Sequence, residues 1–247
     1  MLSLILALTR FLNQYFAAPL VPLLGRLGIH FAHPNAPLRD NTLTLELLVM
    51  LFLLLFFVAA RLSLSVEKPG AVQHTAEMLN EFVSSQGEAI IGHGYEPHLV
   101  FVTMILLFVA LCNLFGLLPG LETPTANPCV PLGIALLTFI YYNWNGVRAQ
   151  GLFSYIKHFA GPIWWVAPLL FPIEIISHLA RIMSLTIRLY ANMFASDLLT
   201  LVFFSMIPFG IPVVFLGLHF GVALIQAYVF MLLTLIYLSQ AVAKEDH

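Results

Sequence analysis

Two apolar stretches near the end of the chain, about 163–206 and 211–242, restrict it more than any other feature. The sequence IPFGIP at 207–212 separates them, and its Pro and Gly residues break a helix there. At about 1.5 Å per residue, a helix of about 40 residues is about 60 Å long. The hydrocarbon core of a bilayer is about 30 Å thick. The first stretch therefore cannot cross upright. It tilts strongly, lies partly along the membrane, or breaks near Pro168 and Pro172. We expect a long, steeply tilted hairpin, at an angle that length alone does not fix.

Three shorter spans precede the hairpin. They are LTLELLVMLFLLLFFVAARL (43–62), LVFVTMILLFVALCNLFGLL (99–118), closed by Pro119-Gly120, and PLGIALLTFIYYNWNGV (131–147). The last is slightly short of the usual spanning length of about 20 residues, and its aromatic end suits an interface. Between the first two, Ala76, Leu79, Phe82 and Val83 recur at helical spacing beside Glu77 and Glu81. That pattern predicts an amphipathic surface helix over about 71–91. Only 9% of the residues are charged, against about 25% in soluble domains. The expected fold is all-α integral membrane, with five membrane helices plus the surface helix. The domain plan is an outer N-terminal segment (1–42), one membrane domain (43–243) and a cytoplasmic tail (244–247). The first segment is apolar but interrupted by Arg10, Pro19, Pro22 and Arg26, and is not expected to span. MLSLILALTRFLNQYF lacks the basic n-region of a cleaved signal.

Loop charges orient the spans. The loop 119–130 has Glu122 and no Lys or Arg, whereas 148–161 carries Arg148 and Lys157 and is expected in the cytoplasm. Counting spans from there puts Arg61, Lys68 and Lys244 inside and the N-terminus outside. Arg10, Arg26 and Arg39 then lie outside, against the trend.

Ionisable residues inside spans cost about 2.5–3.5 kcal/mol on insertion scales, so they point to function. Those in the apolar segments are Glu46, Glu174, His178, Arg181, Arg188, Asp197 and His219. Most fall in the hairpin. Glu174, Arg181 and Arg188 are spaced by seven and return to one helix face within about 20° per step. Asn192, one turn beyond Arg188, lies close to that face. Asp197 is nine residues from Arg188, about 900° around the helix, so the two point in opposite directions. His219 and Gln226, also seven apart, share a face of the last helix. Arg181 suits a snorkelling role at the inner interface, Glu46 an interfacial one, and His178 a packed or interfacial one. Arg188 has no acidic residue three or four positions away to pair it.

Other chemistries find no support. There is no GxSxG, HExxH, P-loop or GxGxxG. The histidines lack zinc-like spacing, so no metal and no cofactor is expected. Cys112 and Cys129 form no disulfide framework. A net charge of −2 argues against a nucleic-acid surface. An independent secondary transporter with Arg188 as an anion site is the alternative reading. The absence of a clear internal repeat counts against it. An intramembrane protease built on Ser184 has no plausible histidine base near it on the same helix.

The motif SLTIRLYANMFASDLL (184–199), the context of His219 leading into LIQAYVFMLLTLIYLS (224–239), and NLFGLLPGLETPTANP (113–128) together resemble subunit a of F-type ATP synthases. The likeness covers roughly residues 43–243. It rests on R-L-x-x-N-M-x-A followed by Q-A-x-x-F-M-x-L-T. The resemblance implies a non-catalytic proton-channel subunit, with a rotating c-ring, peripheral-stalk b subunits and membrane lipid as partners. The expected setting is a bacterial plasma membrane, with an organelle membrane as the weaker alternative. It implies that Arg188 faces the ring carboxylate and blocks a leak between two half-channels. It further implies that Asp197, His219, Asn192 and Gln226 line or flank the outer path. Glu174 then belongs to the cytoplasmic path, and Ser184 to the arginine face. Asn127 departs from the pattern, since many members carry Asp there. A guanidinium suits the implied role because it stays charged and stabilises the ionised form of a nearby carboxylate.

Overall fold

The computed structural model describes residues 41–64, 70–92, 94–117, 123–151, 167–206 and 211–242. These form six α-helices: α1 (Asn41–Leu62), α2 (Ala71–Ile91), α3 (Leu99–Phe115), α4 (Cys129–Gln150), α5 (Ala167–Met206) and α6 (Ile211–Val242). Short 3-10 turns at Glu96–His98 and Pro124–Ala126 precede α3 and α4. No strand occurs among the described residues, and the all-α membrane class holds. Several expectations lie outside the described residues. They concern nearly all of the N-terminal segment, the loop positions Lys68, Pro119, Gly120, Glu122 and Lys157, the turn residues 207–210 and the tail with Lys244.

Each helix follows from its local sequence. α1 is apolar on all sides, yet only Leu45, Val49, Leu53 and Ala60 are buried; Met50, Phe52, Leu54 and Leu55 stay exposed. An apolar helix covered along one stripe is what a lipid-facing span requires. The expected surface helix is α2, which buries Val83 and Gly87 and exposes Glu77 and Glu81. It stops at Gly92, whose φ of 76° suits glycine and whose N–H donates to the Glu88 carbonyl. At the start of α4 the Asn127 Oδ1 accepts the Cys129 N–H at 3.1 Å. A free N-terminal donor is thereby satisfied by an uncharged side chain.

Among the described residues, four helices are long and apolar enough to cross a membrane: α1, α3, α5 and α6. The expected third span lies within α4, which at 22 residues is about 33 Å long. It is less apolar than the others because it carries Asn143, Asn145 and Arg148. Thr138, Asn143 and Asn145 each donate to a carbonyl four residues back, at 2.9, 2.7 and 2.8 Å. This self-satisfaction reduces the penalty of polar groups in an apolar setting.

α5 runs unbroken for 40 residues although Pro172 lies inside it. Pro172 forgoes one intrahelical bond without ending the helix. Of the three expected routes for this stretch, a break at Pro172 is therefore excluded, and the tilted course and the one lying partly along the membrane both fit an unbroken helix. α6 adds 32 residues.

The core lies where α3, α4 and α5 meet α6. α5 contributes Ile182, Leu185, Leu189 and Met193, and α6 contributes Ala227, Phe230, Met231 and Leu235. The α5 residues are spaced by three and four, a single stripe. Small side chains at Ala223 and Ala227 are buried on α6, and such residues let membrane helices approach closely. A smaller cluster of Val49, Leu53 and Cys112 docks α1 onto α3.

Candidate functional site

The packed stripe of α5 separates its polar residues. At about 100° per residue, Arg188 lies on one flank of the stripe formed by Ile182, Leu185, Leu189 and Met193. Asp197 lies on the other flank, half a turn away. Each flank has its own surroundings.

On the first flank, Arg188 Nη2 donates to Ser184 Oγ at 3.2 Å, on the exposed side of the helix. Among the described residues, no carboxylate lies within ion-pair distance of Arg188. One turn further, Asn192 Nδ2 donates to Gln226 Oε1 at 3.0 Å. Gln226 is buried on α6, so this bond ties the arginine-bearing turn of α5 to its neighbour. The apolar side chains Met183, Ile187, Phe194 and Leu198 of the same helix are exposed among the described residues.

On the second flank, Asp197 turns to the loop before α4. Its Oδ1 accepts the Thr123 hydroxyl at 2.8 Å, and its Oδ2 accepts the Thr123 N–H at 3.3 Å. His219 Nδ1 stands 3.6 Å from Asp197 Oδ1. The other ring nitrogen faces the Asn113 carbonyl oxygen at 3.4 Å. Asn113 is held in turn: Thr125 Oγ1 donates to its Oδ1 at 2.6 Å, and its Nδ2 donates to the Ala223 carbonyl at 3.3 Å. Gly116 makes room for this arrangement. A Cβ there would overlap the Thr123 hydroxyl outright and approach Asp197 Oδ1 to 3.3 Å. Four elements thus converge on one polar cluster inside an apolar bundle.

A third cluster lies toward the start of α5. Glu174 Oε1 is 3.5 Å from His178 Nε2, and His178 Nδ1 shares a hydrogen with the Tyr142 hydroxyl at 2.9 Å. The His178 and Tyr142 rings stack. Arg181 lies over the Tyr237 ring at 5.1 Å, a cation–π contact rather than a free snorkelling chain.

His219 and Gln226 are both buried on α6, as their shared face predicts. Glu174 is part-exposed and remote from Asp197 on the same helix. Sequence reasoning missed Thr123, Asn113 and Thr125. It counted His178 among the ionisable residues of the spans and gave it a packed or interfacial role, and the residue is buried. Asn113 carried a signal, as a polar residue near the end of an apolar run. Thr123 carried none, because it meets Asp197 only through the fold.

Residues 42–239 match the ATP synthase A chain family. The chain is 55% identical to ATP synthase subunit a of Koribacter versatilis over 95% of its own length and 96% of that protein. It is 44% identical to ATP synthase subunit a of Solibacter usitatus over 94% and 99% of the two chains. The corresponding protein of Helicobacter pylori is 38% identical over 80% and 88%. With a family match spanning most of the helical bundle and relatives aligned over nearly their whole length, the chain belongs to the ATP synthase subunit a family of membrane proteins.

Proposed function

We propose that this chain is the non-catalytic stator subunit that carries protons through a rotary ATP synthase by two offset half-paths. The observation that carries the reading is the arrangement of α5, with Arg188 on one flank of the packed stripe and Asp197, joined to Thr123 and His219, on the other. A fixed cation on an uncovered face suits a partner that brings its own carboxylate. A c-ring supplies one carboxylate per subunit to that face. Arg188 stabilises each in its ionised form as it passes and prevents a proton from moving straight between the two paths. Asp197 and His219 form the titratable part of the outer path, with Asn192 and Gln226 as neutral neighbours and Ser184 orienting Arg188. Glu174 serves the cytoplasmic path. Moving one charge through 100 mV is worth about 2.3 kcal/mol, enough to bias rotation in one direction.

The setting that fits is a bacterial plasma membrane with the N-terminus outside and the C-terminus in the cytoplasm. Peripheral-stalk b subunits hold the chain still, and lipid covers faces such as the exposed side of α1. H⁺ is the transported ion in this reading. Arg188→Ala in the assembled complex tests it: ATP-driven proton pumping is expected to be lost, and normal pumping would defeat the proposal. A transporter working alone would instead give substrate uptake by the purified chain in liposomes.

A further inference from the structure

The cluster at the start of α5 has the geometry of a proton-exchanging pair. Along α5, Glu174 lies 23 residues before Asp197, about 34 Å away along the axis. It belongs to a different end of the bundle. His178 has a partner at each ring nitrogen, Tyr142 hydroxyl at Nδ1 and Glu174 carboxylate at Nε2. Exposure is graded along the set. Tyr142 is 2% exposed, and the side chains of His178 and Glu174 are 11% and 35% exposed. A histidine serving only to fill space needs no carboxylate on its outward nitrogen.

We infer that His178, held by Tyr142, exchanges a proton with Glu174 and so makes these three residues the collecting group of the cytoplasmic half-path. The inference rests on the function proposed above. With Nδ1–H donating to the Tyr142 oxygen, the Nε2 lone pair faces Glu174. A proton on Glu174 Oε1 then moves to Nε2, leaving a carboxylate beside an imidazolium whose two N–H groups both have acceptors. The pair holds one exchangeable proton. Releasing it leaves the carboxylate and a neutral ring. Histidine is suited to this because its charge changes near neutral pH. Among the described residues, the titratable groups in contact with it are Tyr142 from α4 and Glu174 from α5; Arg181 from α5 lies over the ring of Tyr237 from α6, which packs against Tyr142. Tyr142 is a positioning residue, since it fixes which ring nitrogen meets Glu174.

The test uses the complete ATP synthase in inverted membrane vesicles, where the medium's pH acts on the cytoplasmic side. His178→Ala and His178→Gln are expected to pump about tenfold more slowly than the parent at about pH 8. Both recover toward the parent rate at about pH 6, where protons are abundant. Glu174→Gln is expected to show the same pH-dependent loss, and Tyr142→Phe a smaller one. A loss equal at every pH, or no loss, overturns the inference. Should His178→Ala lower the amount of assembled complex, His178→Gln decides, because it keeps an N–H toward Glu174 but takes up no proton. Arg188→Ala in the same vesicles separates the two ideas. Normal pumping there defeats the function itself. Lost pumping there, with His178 variants like the parent, defeats only the collecting group.

Discussion

His219 presents its Nδ1 to Asp197 Oδ1 at 3.6 Å, with no hydrogen-bond partner on that nitrogen. The ring is almost wholly buried, and its far side faces the Asn113 carbonyl. A small closing movement, or one water molecule, turns this approach into a hydrogen bond. The same carboxylate is already gripped by two donors from Thr123. Asp197 is thus held firmly on the Thr123 side and loosely on the His219 side.

That asymmetry makes Asp197→Asn informative. An amide keeps the size but replaces one of the two oxygens that accept from Thr123 with an NH₂, and it has no carboxyl group to take up and release a proton. We expect proton pumping by the assembled complex to fall by at least about tenfold, within the range that positioned acid–base groups contribute. Asp197→Glu should retain part of the activity. Pumping assays on membranes with matched amounts of complex check both.

Gly116→Ala is expected to act on the same carboxylate from a distance. The added methyl would collide with Thr123, whose Cβ lies 2.9 Å from the position it would occupy. Thr123 must move, and its two bonds to Asp197 go with it. Overpacking of this kind costs about 1–3 kcal/mol. Pumping should drop as in Asp197→Asn, whereas α3 itself remains a helix, which circular dichroism of the purified complex would report.

Arg188→Lys should not restore what Arg188→Ala removes. Lysine is a strongly hydrated point charge on a flexible stem, and it changes its protonation when desolvated. It also lacks the planar fork that bonds Ser184 and leaves further N–H groups pointing outward. Coupled ATP synthesis driven by an imposed proton gradient is expected to stay near the background level. Synthesis at half the parent rate or more would mean that charge alone suffices.

Ala227→Leu probes the packing that sets the flanks apart. Ala227 is 1% exposed in the cluster shared by α3, α5 and α6. In lipid there is no hydrophobic drive between helices, so close van der Waals fit carries the association. Three extra carbons should force α5 from α6, stretch the Asn192–Gln226 bond beyond its 3.0 Å, and lower stability by about 1–3 kcal/mol. Reduced heat resistance of the purified complex would register it.

Much of this was legible before any coordinates. The amphipathic helix expected at about 71–91 is α2, Ala71–Ile91, because the period of Leu79, Phe82 and Val83 is a local property. Half-turn separation of Arg188 and Asp197 also follows from helix geometry alone. The partners did not. Thr123 reaches Asp197 across 74 residues and Tyr142 reaches His178 across 36. Such contacts depend on which helices lie side by side, and no periodicity encodes that. Pro172 left a break open as one of three routes, and the sequence alone could not close it. The helix runs through it, at the cost of one intrahelical bond.

The unbroken course of α5 has a consequence for how the two flanks are placed. Its apolar stretch of 34 residues is longer than a hydrocarbon core of about 30 Å is thick, so a bilayer that holds all of it holds it inclined. Arg188 and Asp197 are nine residues apart, which is about 13 Å along the axis. On an upright helix that distance would all be depth. On an inclined one part of it runs sideways, so the two groups stand over different points of the membrane plane.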